Sequence, residues 1–208
     1  MTRTPRFVVI LAAVAALVLA CSPSKPAAPL GGKTPSGATP IPGGPMDHTP
    51  VAPSPKVPGS QQEAQDTVLQ YLQRTVNGLP PGTVLDGSDA QGGSNLGCDD
   101  NYAGPGPGPT EYTAALHVVG PEGMAPAELI DRTGKLWQSW NLTVMERDGF
   151  EKPNRFAYAP DGYRLQIEAA YPANYSPTVT VISPCFAGDL RKDDLPFPRM
   201  IRQTAPGS

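Results

Sequence analysis

The sequence is poor in cysteine and histidine, the residues on which many metal sites and nucleophilic enzymes depend. Residues 61–208 contain only two cysteines and one histidine, three residues where a structural zinc site takes four such ligands. No Gly-x-Ser-x-Gly, P-loop or Gly-x-Gly-x-x-Gly pattern is found, which argues against the usual serine-hydrolase and nucleotide-binding sites. Beyond residue 20 there is no apolar run of about 20 residues, the length that a membrane-spanning helix needs.

The first 20 residues are typical of an export signal. Arg3 and Arg6 precede an uncharged apolar run of 14 residues, from Phe7 to Ala20. This run is too short for a stable membrane-spanning helix, but it has the length of a signal-peptide core. The sequence therefore predicts a signal peptide over residues 1–20.

The signal ends in LVLAC, residues 17–21, where an Ala-x-Ala cleavage site would be usual. This ending resembles the bacterial lipobox, whose obligatory cysteine accepts a lipid through its thiolate. The resemblance implies cleavage after Ala20 and N-palmitoyl and S-diacylglycerol modification of Cys21. Such a terminus would hold the protein on the extracytoplasmic side of the cell membrane. The alternative is a chance cysteine at the end of an ordinary signal.

Residues 22–60 are predicted to be a disordered or extended tether that follows the lipidated Cys21. Eleven of these 39 residues are proline and six are glycine, with no apolar periodicity. Such a segment buries too little apolar surface to offset its chain entropy. The tether carries a net charge of +2, whereas residues 61–208 carry −7. An acidic domain of this kind argues against a nucleic-acid partner.

Residues 61–204 are long enough for one hydrophobic core, and their two helical patterns are clear. Ser60 and Glu63 form a capping box that should start a helix over 61–76, with the Glu63 carboxylate reaching back to the Ser60 N–H. A second amphipathic helix is predicted within 121–140, where Pro126 suits the first turn.

Strand patterns occupy most of the remaining domain. They are read at 83–87, 110–120, 141–149, 154–171 (two strands around a Pro-Asp-Gly turn) and 177–185. Because the last four follow one another along the chain, they predict a meander. The fold class expected is α+β: an antiparallel sheet of four to five strands with two helices packed on one face and one disulfide.

Two cysteines, Cys98 and Cys185, remain once Cys21 is set aside. Export places them in an oxidising compartment, where an even pair favours a disulfide over free thiols. That bridge would close a long loop and constrain the unfolded chain.

The segment 86–110 is the candidate binding loop, since its glycines and prolines leave backbone exposed. Its candidate contact residues are Asp86, Asp89, Asp99, Asp100 and Asn101. Their oxygen atoms are suitable metal ligands, so a metal site is an alternative, although the spacing of these residues does not match a calcium loop. A solvated turn beside the disulfide is the simpler interpretation, so no metal or cofactor is expected. The acidic character favours a basic or neutral partner.

Two further residue types bear on function. His117 lies within a predicted strand, where a structural role is more common than a catalytic one. Trp137 and Trp140 either pack in the core or line a ligand cleft. We therefore expect a non-enzymatic binding or interaction module that contacts an envelope protein, lipid or glycan. The alternative is an envelope hydrolase that acts on a glycan or lipid through a carboxylate site.

The lipobox, the proline-rich tether, the capped first helix and the motifs CDDN (98–101), PDGY (160–163) and SPCF (183–186) occur together. In this combination the chain resembles small mycobacterial lipoproteins of the LppA type, over about residues 61–190. The resemblance implies a mycobacterial cell-envelope lipoprotein with an α+β head and a disulfide between Cys98 and Cys185. It brings no catalytic residues, because the family carries no established activity.

Overall fold

The computed structural model describes residues 49–90, 92–193 and 195–204. The predicted signal peptide, Cys21 and the tether up to residue 48 lie outside the described residues. The described part holds two α-helices, eight β-strands and one 3-10 turn. In chain order they are α1 (Gln61–Gly78), β1 (Val84–Asp86), β2 (Gly92–Gly97), β3 (Thr110–Val119), α2 (Pro126–Ser139), β4 (Thr143–Met145), β5 (Asn154–Tyr158), β6 (Arg164–Glu168), β7 (Thr178–Ile182), the 3-10 turn Gly188–Leu190 and β8 (Met200–Arg202).

All eight strands belong to one antiparallel sheet, which confirms the predicted α+β class. The sheet order is β4-β5-β6-β7-β3-β1-β8, and β2 pairs with β3 beside β1. The predicted meander is present as β4 to β7. The predicted count of four to five strands is too low: all six strand patterns read in the sequence form strands, and β2 and β8 were not expected. Neither has an alternating apolar pattern, so each is a strand through its pairing partner and not through its own sequence.

Helix α1 begins where the capping pattern predicts. Ser60 Oγ accepts a hydrogen bond from the Glu63 N–H at 3.1 Å. The predicted hydrogen bond from the Ser60 N–H to the Glu63 carboxylate is wrong by one residue. Glu63 Oε2 accepts instead from the Gly59 N–H, at 2.9 Å. The other oxygen of this carboxylate lies 2.7 Å from Lys56 Nζ. The helix continues to Gly78, two residues past the predicted end.

Both helices pack on the same face of the sheet, as predicted. On that face, alternate residues of the central strands are buried: Tyr112, Ala114, Leu116 and Val118 of β3, Leu165 and Ile167 of β6, and Val179 and Val181 of β7. Trp137 of α2 is fully buried among them, and its Nε1 donates a hydrogen bond to Thr75 Oγ1 of α1 at 3.1 Å. Trp137 is therefore a core residue, not part of a cleft.

The predicted disulfide between Cys98 and Cys185 is present, with the two Cα atoms 6.3 Å apart. It joins the loop that follows β2 to the segment that follows β7. Next to it, Thr110 and Phe186 exchange two backbone hydrogen bonds, at 2.9 and 2.8 Å. The disulfide thus closes the end of the sheet at which β3 begins.

The last residues of the predicted tether contact the domain. The Lys56 N–H donates a hydrogen bond to the Asp161 carbonyl at 2.8 Å, and Pro58 is buried. Ordered contacts therefore begin a few residues before Ser60.

Candidate functional site

The face of the sheet opposite the helices carries a row of polar side chains. Successive residues of a strand point to opposite faces, and directly paired residues share a face. The register pairs Asp86 with His117, His117 with Thr178, Thr178 with Glu168, and Glu168 with Asn154. Five strands thus place five polar residues in one line across the open face.

His117 stands next to Asp86 in this row and is half-buried. Its Nδ1 lies 3.4 Å from Thr178 Oγ1, and the tautomer decides which of the two atoms donates. His117 therefore faces the open side of the sheet and not the core between sheet and helices.

Asp86 is held as a carboxylate. Its Oδ1 accepts a hydrogen bond from the Ser88 N–H at 2.9 Å. Hydrogen bonds from Ser88 keep the pKa of Asp86 below its usual range, and the nearby His117 and Arg202 lower it further. Hydrogen bonds to the charged form favour that form. Asp86 is consequently ionised at neutral pH.

A cavity of about 440 Å³ lies over the Asp86 end of the row. The segment between β6 and β7 forms its opposite side with two tyrosines. The lining residues are Asp86, Asp89, His117, Val119, Ala170, Tyr171, Tyr175 and Ser176. Its volume is within the range of small-molecule sites, about 300–1,000 Å³.

The two tyrosines of this cavity are unusually exposed. Tyr171 is 87% exposed and Tyr175 is 62% exposed. Large aromatic rings usually bury much of their surface, so two open rings beside one cavity indicate a surface that a ligand can cover. We define Asp86, Asp89, His117, Tyr171 and Tyr175 as the tyrosine–aspartate pocket.

Sequence reasoning found the aspartates of this pocket and missed its aromatic side. Both tyrosines lie in the stretch AAYPANYSP, 169–177. Tyr171 was predicted to end the strand segment 154–171, but β6 ends at Glu168, so Tyr171 lies in the loop with Tyr175. A signal was present: two aromatic residues within a short polar loop containing proline, where no core position can bury them.

The predicted binding loop divides into two separate parts. Asp86 and Asp89 lie before β2, in the pocket, whereas Asp99, Asp100 and Asn101 follow β2 beside Cys98. Six strand residues between them span about 20 Å. Asp99 Oδ1 accepts from the Asn101 N–H at 2.9 Å, as in a solvated Asx turn. The structure therefore does not bring the five residues into one site.

One group of metal-ligand residues occurs in the described part of the chain. Atoms of Cys98, Cys185 and Glu111 lie within 4.8 Å of one another. The two sulfurs are bonded to each other, so neither is available as a thiolate ligand. Burial raises the pKa of Glu111, and its ion pair with Arg164, at 2.6 Å, opposes that shift.

The other end of the open face is basic and aromatic. Arg147 lies over the rings of Phe150 and Phe156, 5.4 and 5.2 Å from their centroids. These side chains and Arg164 line a smaller cavity of about 140 Å³. The open face thus has an acidic end, which holds the tyrosine–aspartate pocket, and a basic end.

In the residues that the structure describes, no helix has the length and apolar character to cross a membrane. Comparisons with models of protein families, with curated proteins and with solved structures find no match to this chain.

Proposed function

We propose that this protein is a cell-envelope lipoprotein, anchored to the outer side of the cell membrane through Cys21, whose domain binds a ligand without catalysis. The observation that carries the binding role is the tyrosine–aspartate pocket, where exposed Tyr171 and Tyr175 line one cavity with Asp86 and His117. The anchor rests on the lipobox-like ending LVLAC. A resemblance to LppA-type mycobacterial lipoproteins is consistent with both roles.

The partner of this domain is an envelope protein, lipid or glycan. A tether of up to 39 residues with 11 prolines would let the domain reach away from the bilayer. The net charge of −7 on residues 61–208 makes nucleic acid an unsuitable partner, because phosphates would be repelled.

The charge state of the pocket favours binding over hydrolysis. A carboxylate that donates a proton needs a raised pKa, whereas the pKa of Asp86 is lowered. Burial raises the pKa of Glu168 on the same face, but three strand spacings, about 14 Å, separate it from Asp86. Carboxylate pairs that cleave glycosides are about 5–9.5 Å apart. A glycan or lipid hydrolase with a carboxylate site remains the alternative function.

The binding role is tested by crosslinking in intact cells. A photoreactive aromatic amino acid at Tyr175 should give a discrete crosslinked product, because that ring is exposed at the pocket. The same amino acid at Tyr102, which is 40% exposed in the Gly–Pro loop, is the matched control and should give none. Products at position 102 but not at 175 would move the contact surface to that loop.

The anchor is tested by changing Cys21 to serine. The full chain should then move from the detergent phase to the aqueous phase in phase partitioning, because serine has no thiolate to accept the lipid. Changing Ser24 to alanine should leave the partition as it is. Retention of the Cys21→Ser protein in the detergent phase would contradict the lipid anchor.

A further inference from the structure

The tyrosine–aspartate pocket has electron-rich walls. An ionised aspartate only accepts hydrogen bonds, and the face of a tyrosine ring carries negative potential. Two aspartates and two tyrosines line this cavity, and none of the lining residues that the structure describes is lysine or arginine. Arg202 is near enough to act on Asp86 but is not part of the lining.

We propose that this pocket binds an organic ammonium group, with the cation between the rings of Tyr171 and Tyr175 and the carboxylates of Asp86 and Asp89. This inference rests on the proposed binding function and names its ligand class. Rings that face a cation attract it through their quadrupole, most strongly when they form an aromatic enclosure. The carboxylates then balance the charge from the other side.

The alternatives fit the same walls less well. An anionic group would meet two carboxylates. A neutral sugar could stack on the rings and donate hydroxyl hydrogen bonds to the carboxylates, but it carries no charge to balance the two aspartates. An ammonium group would interact favourably with both the tyrosine rings and the negative charge of the aspartates. The cavity of about 440 Å³ also leaves room for the part of the molecule that carries the cation.

Choline and its uncharged isostere 3,3-dimethyl-1-butanol provide the direct test, since they share a shape and differ in charge. Ligand-observed NMR on the full chain in a non-ionic polyoxyethylene detergent would measure both affinities. We expect choline to bind at least about tenfold more tightly, and added salt to weaken it. Equal affinities for the two compounds, or no binding of choline, would overturn the proposal.

Substitutions locate the site. Changing either Tyr171 or Tyr175 to alanine should weaken choline binding roughly fivefold, and Asp86→Asn roughly tenfold. Tyr171→Phe should keep most of the affinity, because the ring face is retained. The matched controls Tyr102→Ala and Asp100→Asn change exposed residues of the other loop and should have no effect. Unchanged affinity in both tyrosine-to-alanine variants would refute the site.

The same NMR experiment with methyl α-glucoside separates the proposal that the pocket binds a ligand from the proposal that this ligand is an ammonium group. Binding of the glucoside without choline, lost in Tyr175→Ala, would reject the ammonium group and keep the pocket as a binding site. Crosslinking at position 175 tests the pocket irrespective of ligand class. Choline binding that depends on Tyr171, Tyr175 and Asp86 would support the ammonium inference.

Discussion

Replacing both Cys98 and Cys185 with serine is expected to lower the free energy of unfolding by about 4–5 kcal/mol. The two residues are 87 positions apart in the chain, so their bond restricts much of the unfolded ensemble. The loss of native contacts should be small, because Cys185 is exposed and Cys98 is only half-buried. Most of the effect is therefore expected to act through the unfolded state.

Urea unfolding of the full chain, followed by circular dichroism, measures this effect. The native spectrum should be retained before the transition, since Thr110 and Phe186 still join β3 to the segment after β7 by two hydrogen bonds. Reduction of the disulfide in the unaltered protein should also lower the urea concentration at the midpoint of unfolding. A loss below about 1 kcal/mol would show that the disulfide does little to restrict the unfolded chain.

Changing Trp137 to alanine is expected to cost about 3–5 kcal/mol of stability, because the fully buried ring would leave a cavity between the helices and the sheet. The substitution also removes the hydrogen bond from Nε1 to Thr75 Oγ1. The Thr75 hydroxyl keeps its own donor contact to the Tyr71 carbonyl at 2.8 Å, so it is not left without a partner.

Trp140 provides the matched control for this prediction. It is half-buried at the end of α2, and the Arg74 guanidinium lies 4.0 Å from its ring centroid. Trp140→Ala should cost about 1–2 kcal/mol, since it removes a partly exposed ring and one cation–π contact. Thermal and urea unfolding of both variants would measure the difference. Equal losses at the two positions would contradict the assignment of Trp137 to the core.

The local features of the domain were predictable because neighbouring residues determine them. The Ser60 cap, the periodic apolar positions of α1 and the Pro126 start of α2 all depend on residues within one or two helical turns. The hairpin of β5 and β6 is similar: Tyr163, Leu165, Ile167 and Ala169 alternate with polar residues in the sequence and are all buried. The pairing of Cys98 with Cys185 followed from the cysteine count and the expected compartment.

Strands β2 and β8 depended on distant partners and could not be read from their own residues. At Gly93 in β2, a side chain would collide with the ring of Phe197 and the hydroxyl of Tyr112, so glycine stands where an apolar residue would have marked a strand. β8 has three residues, of which only Ile201 is buried. It is ordered by pairing with β1, more than 110 residues away in the chain.

The sequence by itself determined the α+β class, the helix boundaries to within a few residues, the disulfide and the aspartates of the pocket. Only the tertiary structure decided that Asp86 and His117 are paired, that Tyr171 and Tyr175 line one cavity with them, and that Asp99 lies elsewhere. The reason is register. A strand pairing joins residues that are distant in sequence, and a shift of one residue would send every side chain to the opposite face. No local pattern carries that information.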